Sequence, residues 1–180
     1  MALAHAILAC LLDRSLSGYD LAQQFDSSVG YFWAASHQQI YRELSKLEQQ
    51  GWIAAETILQ TGKPDKKLYR ITELGKQHLK AWMTEASDPS PIKDDLLVKI
   101  FAGYLAPQAI AIELKRHQKA HQEKLAVYKA IEQKYFSNPQ ILSETEKFQY
   151  LTLLNGISYE THWLSWIDRA IQLLKSNNPK

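Results

Sequence analysis

Eight polar side chains between positions 37 and 49 are the residues best suited to chemistry in this 180-residue chain. They are rich in amide, hydroxyl and cationic donors and contain no carboxylate: His37, Gln38, Gln39, Tyr41, Arg42, Ser45, Lys46 and Gln49. Donors of these kinds reach base edges and phosphates. The set therefore predicts binding rather than bond breaking, although the solvated face of an ordinary amphipathic helix could carry the same residues.

A helix with both ends marked would position these donors. Ile40, Leu44 and Leu47 recur at the i, i+4, i+7 spacing that places apolar side chains on one helical face, so the donors occupy the opposite face. Ser36 is a favourable N-cap residue because its hydroxyl accepts a backbone N–H. Gly51 suits the position after the helix because it adopts a positive φ without strain. The sequence predicts one helix between these two residues.

Two apolar helices precede this helix, and a hairpin follows it. The segments WIAAETIL and KLYRI have the alternation and β-branching of strands, and the turn between them contains Gly62 and Pro64. Lysines crowd the tip of this hairpin, namely Lys63, Lys66 and Lys67. Thr72 then caps a further helix. We expect it to turn Leu74, His78 or Leu79, and Trp82 or Met83 inward. This order of elements is typical of a winged helix-turn-helix, in which the third helix enters the major groove and the hairpin lies along the phosphate backbone.

A polar segment with two prolines at residues 87–91 separates this part from the rest. We expect a DNA-binding domain at residues 1–86, a linker at 87–91 and a helical domain at 92–180. The second domain reads as a short helix, a long helix from Pro107 to about Tyr135, and a last helix capped by Ser143. Apolar stripes run along the two long helices through Leu114, His121, Leu125, Tyr128 and Tyr135, and through Leu154, Ile157, Leu164, Ile167, Ile171 and Leu174. These stripes are too large for one another alone and indicate a partner subunit, so the fold class is mainly α with a dimerisation domain.

Charge and composition limit the function classes. The net charge is +2 and residues 1–86 are formally neutral, so DNA binding would depend on the local placement of charge. A winged helix that docks on another protein is the alternative. No apolar stretch is long enough to cross a membrane, and the apolar N-terminal run lacks the features of a signal peptide. The single cysteine, Cys10, lies among leucines, which suits a buried thiol and a cytoplasmic location.

Neither a catalytic nor a metal site is expected. No nucleophile elbow or phosphate-cradling glycine loop occurs. Glu113, His117 and His121 share an i, i+4 spacing, but Gln118 stands where a zinc hydrolase needs its glutamate, and such pairs are more often at surfaces or interfaces. We predict that the chain is not an enzyme and needs no cofactor.

Aromatic residues of the second part could line a pocket for a flat apolar effector. These are Phe101, Tyr104, Tyr159, Trp163 and Trp166. Plain packing between helices is the alternative explanation for aromatic residues at helical spacing. The residues do not identify an effector.

The sequence resembles the PadR-like family of transcriptional regulators. The matching segments are Gly18-Tyr19 followed by Leu21, Phe32-Trp33, SHQQIYRELSKLEQQGWI, the wing from Gly62 to Lys67, and LYRITELGKQHL; the later DDLLVKIFAGYL is similar to the start of the family's helical domain. The resemblance implies a cytoplasmic, homodimeric DNA-binding regulator, most often a repressor. It also implies that the C-terminal helices form the dimer and that a small molecule releases the DNA.

The resemblance also implies roles for particular positions. Tyr19 would hydrogen-bond to a phosphate and Lys46 would reach the flanking backbone. The wing would carry Lys63, Lys66 and Lys67. The start of the third helix would contact DNA through Ser36 and would face the major groove with His37, Gln38, Gln39, Tyr41 and Arg42. Many family members have Pro-Ser or Pro-Gly before the Ile-Tyr pair, whereas this chain has ASHQQ there. We therefore expect its own base preference to depend on that stretch.

Overall fold

The structure is a computed structural model that describes residues 2–27, 33–59, 62 and 65–176. The chain separates into two compact units, residues 1–89 and 90–180. The first unit contains α1 (Ala2–Cys10), β1 (Leu16–Ser17), α2 (Gly18–Ser27), α3 (His37–Gln49), β2 (Ile53–Ile58), β3 (Lys66–Ile71) and α4 (Glu73–Met83). The second contains α5 (Asp95–Phe101), α6 (Pro107–Tyr135) and α7 (Glu144–Ser176), with short 3-10 turns at Gly103–Leu105 and Pro139–Ile141.

One apolar core holds the first unit together. Its most deeply buried side chains come from α1, α2, α3 and β2: Ile7, Leu8, Leu11, Leu21, Phe25, Ile40, Leu44, Leu47 and Ile53. The three residues from α3 are fully buried, which confirms the predicted inward face of that helix. Burying apolar side chains of this size stabilises the fold by roughly 1.5–3 kcal/mol each. The buried face therefore holds α3 in place and leaves its polar face outward.

The strands form an antiparallel sheet in the order β1-β3-β2. The hairpin of β2 and β3 was predicted, and Gly62 in its turn has a φ of 75°. The sequence did not predict β1, because two residues are too few to show a periodic pattern. Leu16 of β1 pairs with Tyr69 of β3, so the central strand is held on both edges.

Helix α4 turns inward a face that matches the prediction only in part, since Leu79 is buried as one of the expected positions. Thr72 caps it as expected, since its hydroxyl accepts the Gly75 N–H at 3.1 Å. Leu74, however, is 53 % exposed, so its predicted inward position was wrong. Gly75 is buried instead, and its backbone lies so close to Trp52 that a β-carbon at position 75 would clash with the Trp52 carbonyl oxygen. The close approach of the backbone, rather than the size of the apolar residue, decides which side of α4 faces the core.

The second unit is built on an antiparallel pair of long helices. The two helices run in opposite directions, because Glu132 of α6 bonds to Tyr150 near the start of α7 and Gln118 of α6 bonds to Asp168 near its end. The buried apolar residues of the pair are Ile110, Leu114, Tyr128, Ile157, Trp163 and Ile167. Tyr135, predicted on the buried stripe, is 58 % exposed. Helix α6 ends there, and the next residue, Phe136, stacks on Tyr150 instead, with ring centroids 5.0 Å apart.

Candidate nucleic-acid interface

Helix α3 begins with a reciprocal pair of capping hydrogen bonds. Ser36 Oγ accepts the backbone N–H of Gln39 at 3.3 Å, and Gln39 Oε1 accepts the backbone N–H of Ser36 at 2.8 Å. At the other end Gly51 has a φ of 72°. The predicted end signals of α3 are confirmed. The sequence assigned Gln39 to an outward contact only, and the structure shows that it also fixes the start of the helix.

The polar face of α3 is exposed along its whole length. All eight donors that the sequence singled out lie at the surface, while Ile40, Leu44 and Leu47 face the core. A helix held by its apolar face and carrying a continuous row of donors on the other can enter a groove without rearranging its fold. The structure therefore brings His37, Gln38, Gln39, Tyr41, Arg42 and Lys46 together on one side.

Tyr41 packs against the first residue of α2. A β-carbon at Gly18 would lie 3.1 Å from Tyr41 Cζ and 3.2 Å from Cδ1, and it would lie even closer to Cε1. Only glycine leaves room for the ring in this position. The neighbouring Tyr19 is 61 % exposed, and its hydroxyl accepts a hydrogen bond from Gln23 Nε2 at 3.0 Å. The start of α2 and the outward face of α3 are thus adjoining parts of one surface.

The wing lysines are paired with acids on the helices. Lys66 Nζ lies 3.0 Å from Asp20 Oδ2 on α2, and Lys67 Nζ lies 2.7 Å from Glu48 Oε2 on α3. The hydrogen bond from Ser17, followed by the one from Lys66, holds the pKa of Asp20 below its ordinary value. The hydrogen bond to Glu48 raises the pKa of Lys67. Lys63, the third predicted wing residue, lies outside the described residues.

Two further basic side chains of this surface have acidic partners. His37 Nε2 lies 2.9 Å from Asp26 Oδ2, and Lys46 Nζ lies 3.0 Å from Glu43 Oε2. Arg42 has no ion pair within the part of the chain that the structure describes. We call the set Tyr19, Ser36, His37, Gln38, Gln39, Tyr41, Arg42, Lys46, Lys66 and Lys67 the contact surface.

Sequence reasoning missed three residues that shape the contact surface. Gly18 admits the Tyr41 ring, while Asp20 and Glu48 pair with the wing lysines. One signal was available, because Ser17 and Asp20 have the spacing of a capping box. Ser17 Oγ donates to Asp20 Oδ2 and accepts the backbone N–H of Asp20 at the start of α2. Nothing in the local sequence indicated that the lysines would reach these particular acids.

The aromatic residues predicted to line an effector pocket fall into two groups. Trp163 is buried, with its ring centroid 5.2 Å from that of Trp166 and 6.3 Å from that of Tyr159. Phe101 and Tyr104 are 91 % and 80 % exposed. Among the ring contacts of the described residues, neither of them joins the group on α7. The structure therefore assembles Tyr159, Trp163 and Trp166 and leaves the other two at the surface.

The histidines of α6 have acidic partners. His121 Nδ1 bonds to the buried carboxylate of Glu160, and the His121 ring stacks on Trp163 at 5.2 Å. Glu113 is held by Arg116 and Lys99, and the hydrogen bond from Arg116 is the first cause that lowers its pKa to about 2. Within the described residues no group of three or more His, Cys, Asp or Glu side chains is arranged to hold a metal ion.

None of the helices that the structure describes is both long enough and apolar enough to cross a bilayer.

Comparisons with known proteins place the chain in a family. The model of the transcriptional regulator PadR-like family matches residues 7–81, and that of the virulence activator alpha C-terminal region matches residues 92–175. A probable transcriptional regulator of Mycobacterium tuberculosis is 39 % identical over 97 % of this chain and 98 % of its own. The chain belongs to the PadR-like family of transcriptional regulators. The negative transcriptional regulator PadR of Bacillus subtilis is 32 % identical over 96 % of this PadR-like regulator and 97 % of its own length.

Solved structures agree with this PadR-like fold over nearly the whole chain. Bacillus subtilis PadR in complex with operator DNA is similar with a TM-score of 0.84 and 31 % identity, covering 96 % of this chain and 97 % of that one. The same protein in complex with p-coumaric acid is similar with a TM-score of 0.79 and 29 % identity, covering 97 % and 99 %. The predicted fold class, a winged helix-turn-helix followed by a helical domain, is confirmed.

Proposed function

We propose that this PadR-like regulator is a dimeric repressor that binds an inverted-repeat operator in double-stranded DNA through the contact surface. The observation that carries the proposal is the capped helix α3, whose donors are all exposed and lie beside a lysine-bearing hairpin. In a winged helix-turn-helix this arrangement places the helix in the major groove and the hairpin on the backbone. The relative solved with operator DNA supports the same assignment.

The contact surface divides between base edges and phosphates. His37, Gln38, Gln39, Tyr41 and Arg42 carry donors suited to base edges, with Ser36 at the start of their helix. Tyr19 and Lys46 reach phosphates from either side, and Lys63, Lys66 and Lys67 do so from the wing. In this proposal the protein binds DNA and catalyses no reaction. It acts in the cytoplasm, where it meets its DNA partner.

Residues 92–180 supply the dimer, and residues 87–91 link them to the DNA-reading residues 1–86. The helical unit exposes a large set of apolar side chains, including Val98, Phe101, Tyr104, Leu105, Ile112, Phe148 and Leu151. Exposed apolar area of this extent marks a protein–protein contact. A two-fold axis would then place the two α3 helices about one turn of DNA, ~34–36 Å, apart.

A small aromatic or apolar molecule releases the repressor from DNA. The family relative solved with p-coumaric acid supports this part of the proposal. The aromatic residues offered for the contact are Phe101, Tyr104, Tyr159, Trp163 and Trp166. Of these, Tyr159, Trp163 and Trp166 already form a ring cluster on α7 that a flat molecule could join.

The DNA-binding proposal is tested by selecting duplexes from a random pool with the wild-type protein and measuring their affinity by fluorescence anisotropy. Arg42→Ala should weaken binding to the selected duplex by about 5- to 150-fold, since one good base contact is worth roughly 1–3 kcal/mol. Lys80→Ala, which removes an exposed cation on α4, is the matched control and should bind as the wild type does.

Failure to enrich any sequence would favour a winged helix that docks on another protein. Enrichment with unchanged affinity in Arg42→Ala would instead remove this residue from the groove. The effector proposal is tested separately, by titrating p-coumaric acid and following tryptophan fluorescence and release of the selected duplex. Quenching that disappears in Trp163→Phe together with Trp166→Phe would support the ring cluster, and quenching without DNA release would contradict an effector role for this compound.

A further inference from the structure

The two wing lysines at the start of β3 are paired with different helices. Lys66 and Lys67 are the first two residues of β3, and successive side chains of a strand point to opposite faces. Lys66 accordingly reaches Asp20 on α2, while Lys67 reaches Glu48 on α3. Both ammonium groups that the described part of the wing would offer to a phosphate are therefore already bound to a carboxylate of the same chain.

The carboxylate of Asp20 is itself held in place. Its Oδ2 accepts a hydrogen bond from Ser17 Oγ at 2.7 Å, while Ser17 Oγ accepts the backbone N–H of Asp20 at 3.1 Å. Ser17 is buried, with 6 % of its surface exposed. Because Ser17 and Lys66 also lower the pKa of Asp20, this carboxylate is ionised at neutral pH. It forms a fixed negative charge at the point where α2 meets the wing.

These ion pairs are weak enough for DNA to compete with them. The side chains of Lys66 and Asp20 are 40 % and 38 % exposed, and those of Lys67 and Glu48 are 46 % and 36 % exposed. Pairs with this exposure are screened by water and contribute little to stability. A phosphate that takes either lysine, however, must break its pair and approach the carboxylate left behind. That carboxylate repels the phosphate, so each acid lowers the affinity of the wing for DNA.

The same arrangement recurs along the contact surface. His37 is paired with Asp26 and Lys46 with Glu43, which leaves Arg42 as the cation without an ion pair in the described part of this surface. This pairing explains how a DNA-reading domain can be formally neutral. It also limits the sequence-independent part of binding, which depends on cations that are free to replace counterions.

We propose that Asp20 and Glu48 hold the wing lysines away from DNA phosphates and thereby set the affinity of this regulator for duplex DNA. The proposal rests on the DNA-binding function argued above. Asp20→Asn and Glu48→Gln should each strengthen binding by about two- to five-fold, the range of an exposed ion pair. Each should also steepen the dependence of log K on log salt by up to about 0.9, because one more lysine becomes able to release a counterion.

The gain should be the same on any duplex, because phosphate contacts carry no sequence information. The probes are the duplex selected by the wild-type protein and a mixed-sequence duplex of equal length, measured by fluorescence anisotropy over a series of salt concentrations. Glu85→Gln is the charge-matched control, since Glu85 is exposed just beyond α4 and pairs with neither Lys66 nor Lys67. The double variant Lys66→Gln with Asp20→Asn should show no steeper salt dependence than Lys66→Gln alone, because no lysine is freed, although loss of the carboxylate's own repulsion still strengthens binding.

The outcomes separate this proposal from the one on which it rests. A wild-type protein that prefers no duplex would overturn the proposed function itself. Wild-type preference together with unchanged or weaker binding by both variants would overturn the role of the acids alone. A gain equal to that of Glu85→Gln, or a steeper salt dependence that persists without Lys66, would reduce the effect to net charge. Because Asp20 also caps α2, thermal melts accompany each variant, and Glu48→Gln tests the proposal where no cap is involved.

Discussion

Replacing Gly18 by alanine should displace Tyr41 without unfolding the domain. The new methyl group would lie 3.1 Å from Cζ and 3.2 Å from Cδ1 of Tyr41, and nearer than 3.0 Å to Cε1, where ordinary contacts are 3.4–4 Å. These three atoms form one edge of the ring, so the whole ring must move and carry its hydroxyl with it. Tyr41 is 46 % exposed and can rotate toward solvent, which makes the movement cheap for the fold.

Stability and DNA affinity should then change separately. Gly18 lies in α2 and has no positive φ, so alanine suits its backbone and should change the free energy of unfolding by no more than about 1 kcal/mol. A hydrogen bond from the displaced hydroxyl to DNA would be lost, because such bonds weaken steeply beyond about 3.2 Å. Loss of one base-edge contact corresponds to about 1–3 kcal/mol, or about 5- to 150-fold in Kd.

The assay is fluorescence anisotropy on the selected duplex, with urea denaturation of the same preparations. Tyr41→Phe keeps the ring and removes the hydroxyl, so it should weaken binding to a similar extent. In a Tyr41→Ala background the alanine at position 18 should have no further effect on DNA. Wild-type affinity in Gly18→Ala, or equal losses from Gly18→Ala in the presence and absence of Tyr41, would refute the positioning role of the glycine.

Glu160→Ala should destabilise the helical unit by about 1–3 kcal/mol in urea denaturation, because it leaves the half-buried His121 ring without its hydrogen-bond partner, whereas Glu123→Ala, which breaks an exposed pair, should cost less than about 1 kcal/mol. The pKa of Glu113 is lowered from 4.5 to about 2, chiefly by the hydrogen bond from Arg116, so its contribution to stability is present above pH 4.5 and lost as the pH falls toward 2. Glu113→Gln should make the urea midpoint less dependent on pH over that range. A pH dependence equal to that of the wild type would contradict the assignment of this effect to Glu113. Burial raises the pKa of Cys10 to about 11, so iodoacetamide at pH 8 should label the native protein far more slowly than the urea-unfolded one, and equal rates would show that the thiol is open to solvent.

The helices of the contact surface were predictable because their signals are local. Ser36 and Gly51 mark the ends of α3 within the segment itself, and the spacing of Ile40, Leu44 and Leu47 defines its buried face whatever the helix packs against. The order of helices and hairpin then indicated the winged helix. Leu74 shows the limit of this reasoning, since its helix was found but its inward face was decided by the carbonyl of Trp52.

The sequence by itself determined which side chains this regulator can offer to DNA, because residue type and helical period place the donors of α3 on one face. Only the tertiary structure decided how free those side chains are. Asp20 pairs with Lys66, Glu48 pairs with Lys67, and Gly18 makes room for Tyr41. The two residues of each pair are distant in sequence, so no local pattern links them. Their contacts arise from the packing of α2, α3 and β3 around a shared core, where distance in space and not distance in sequence sets which charges and rings meet.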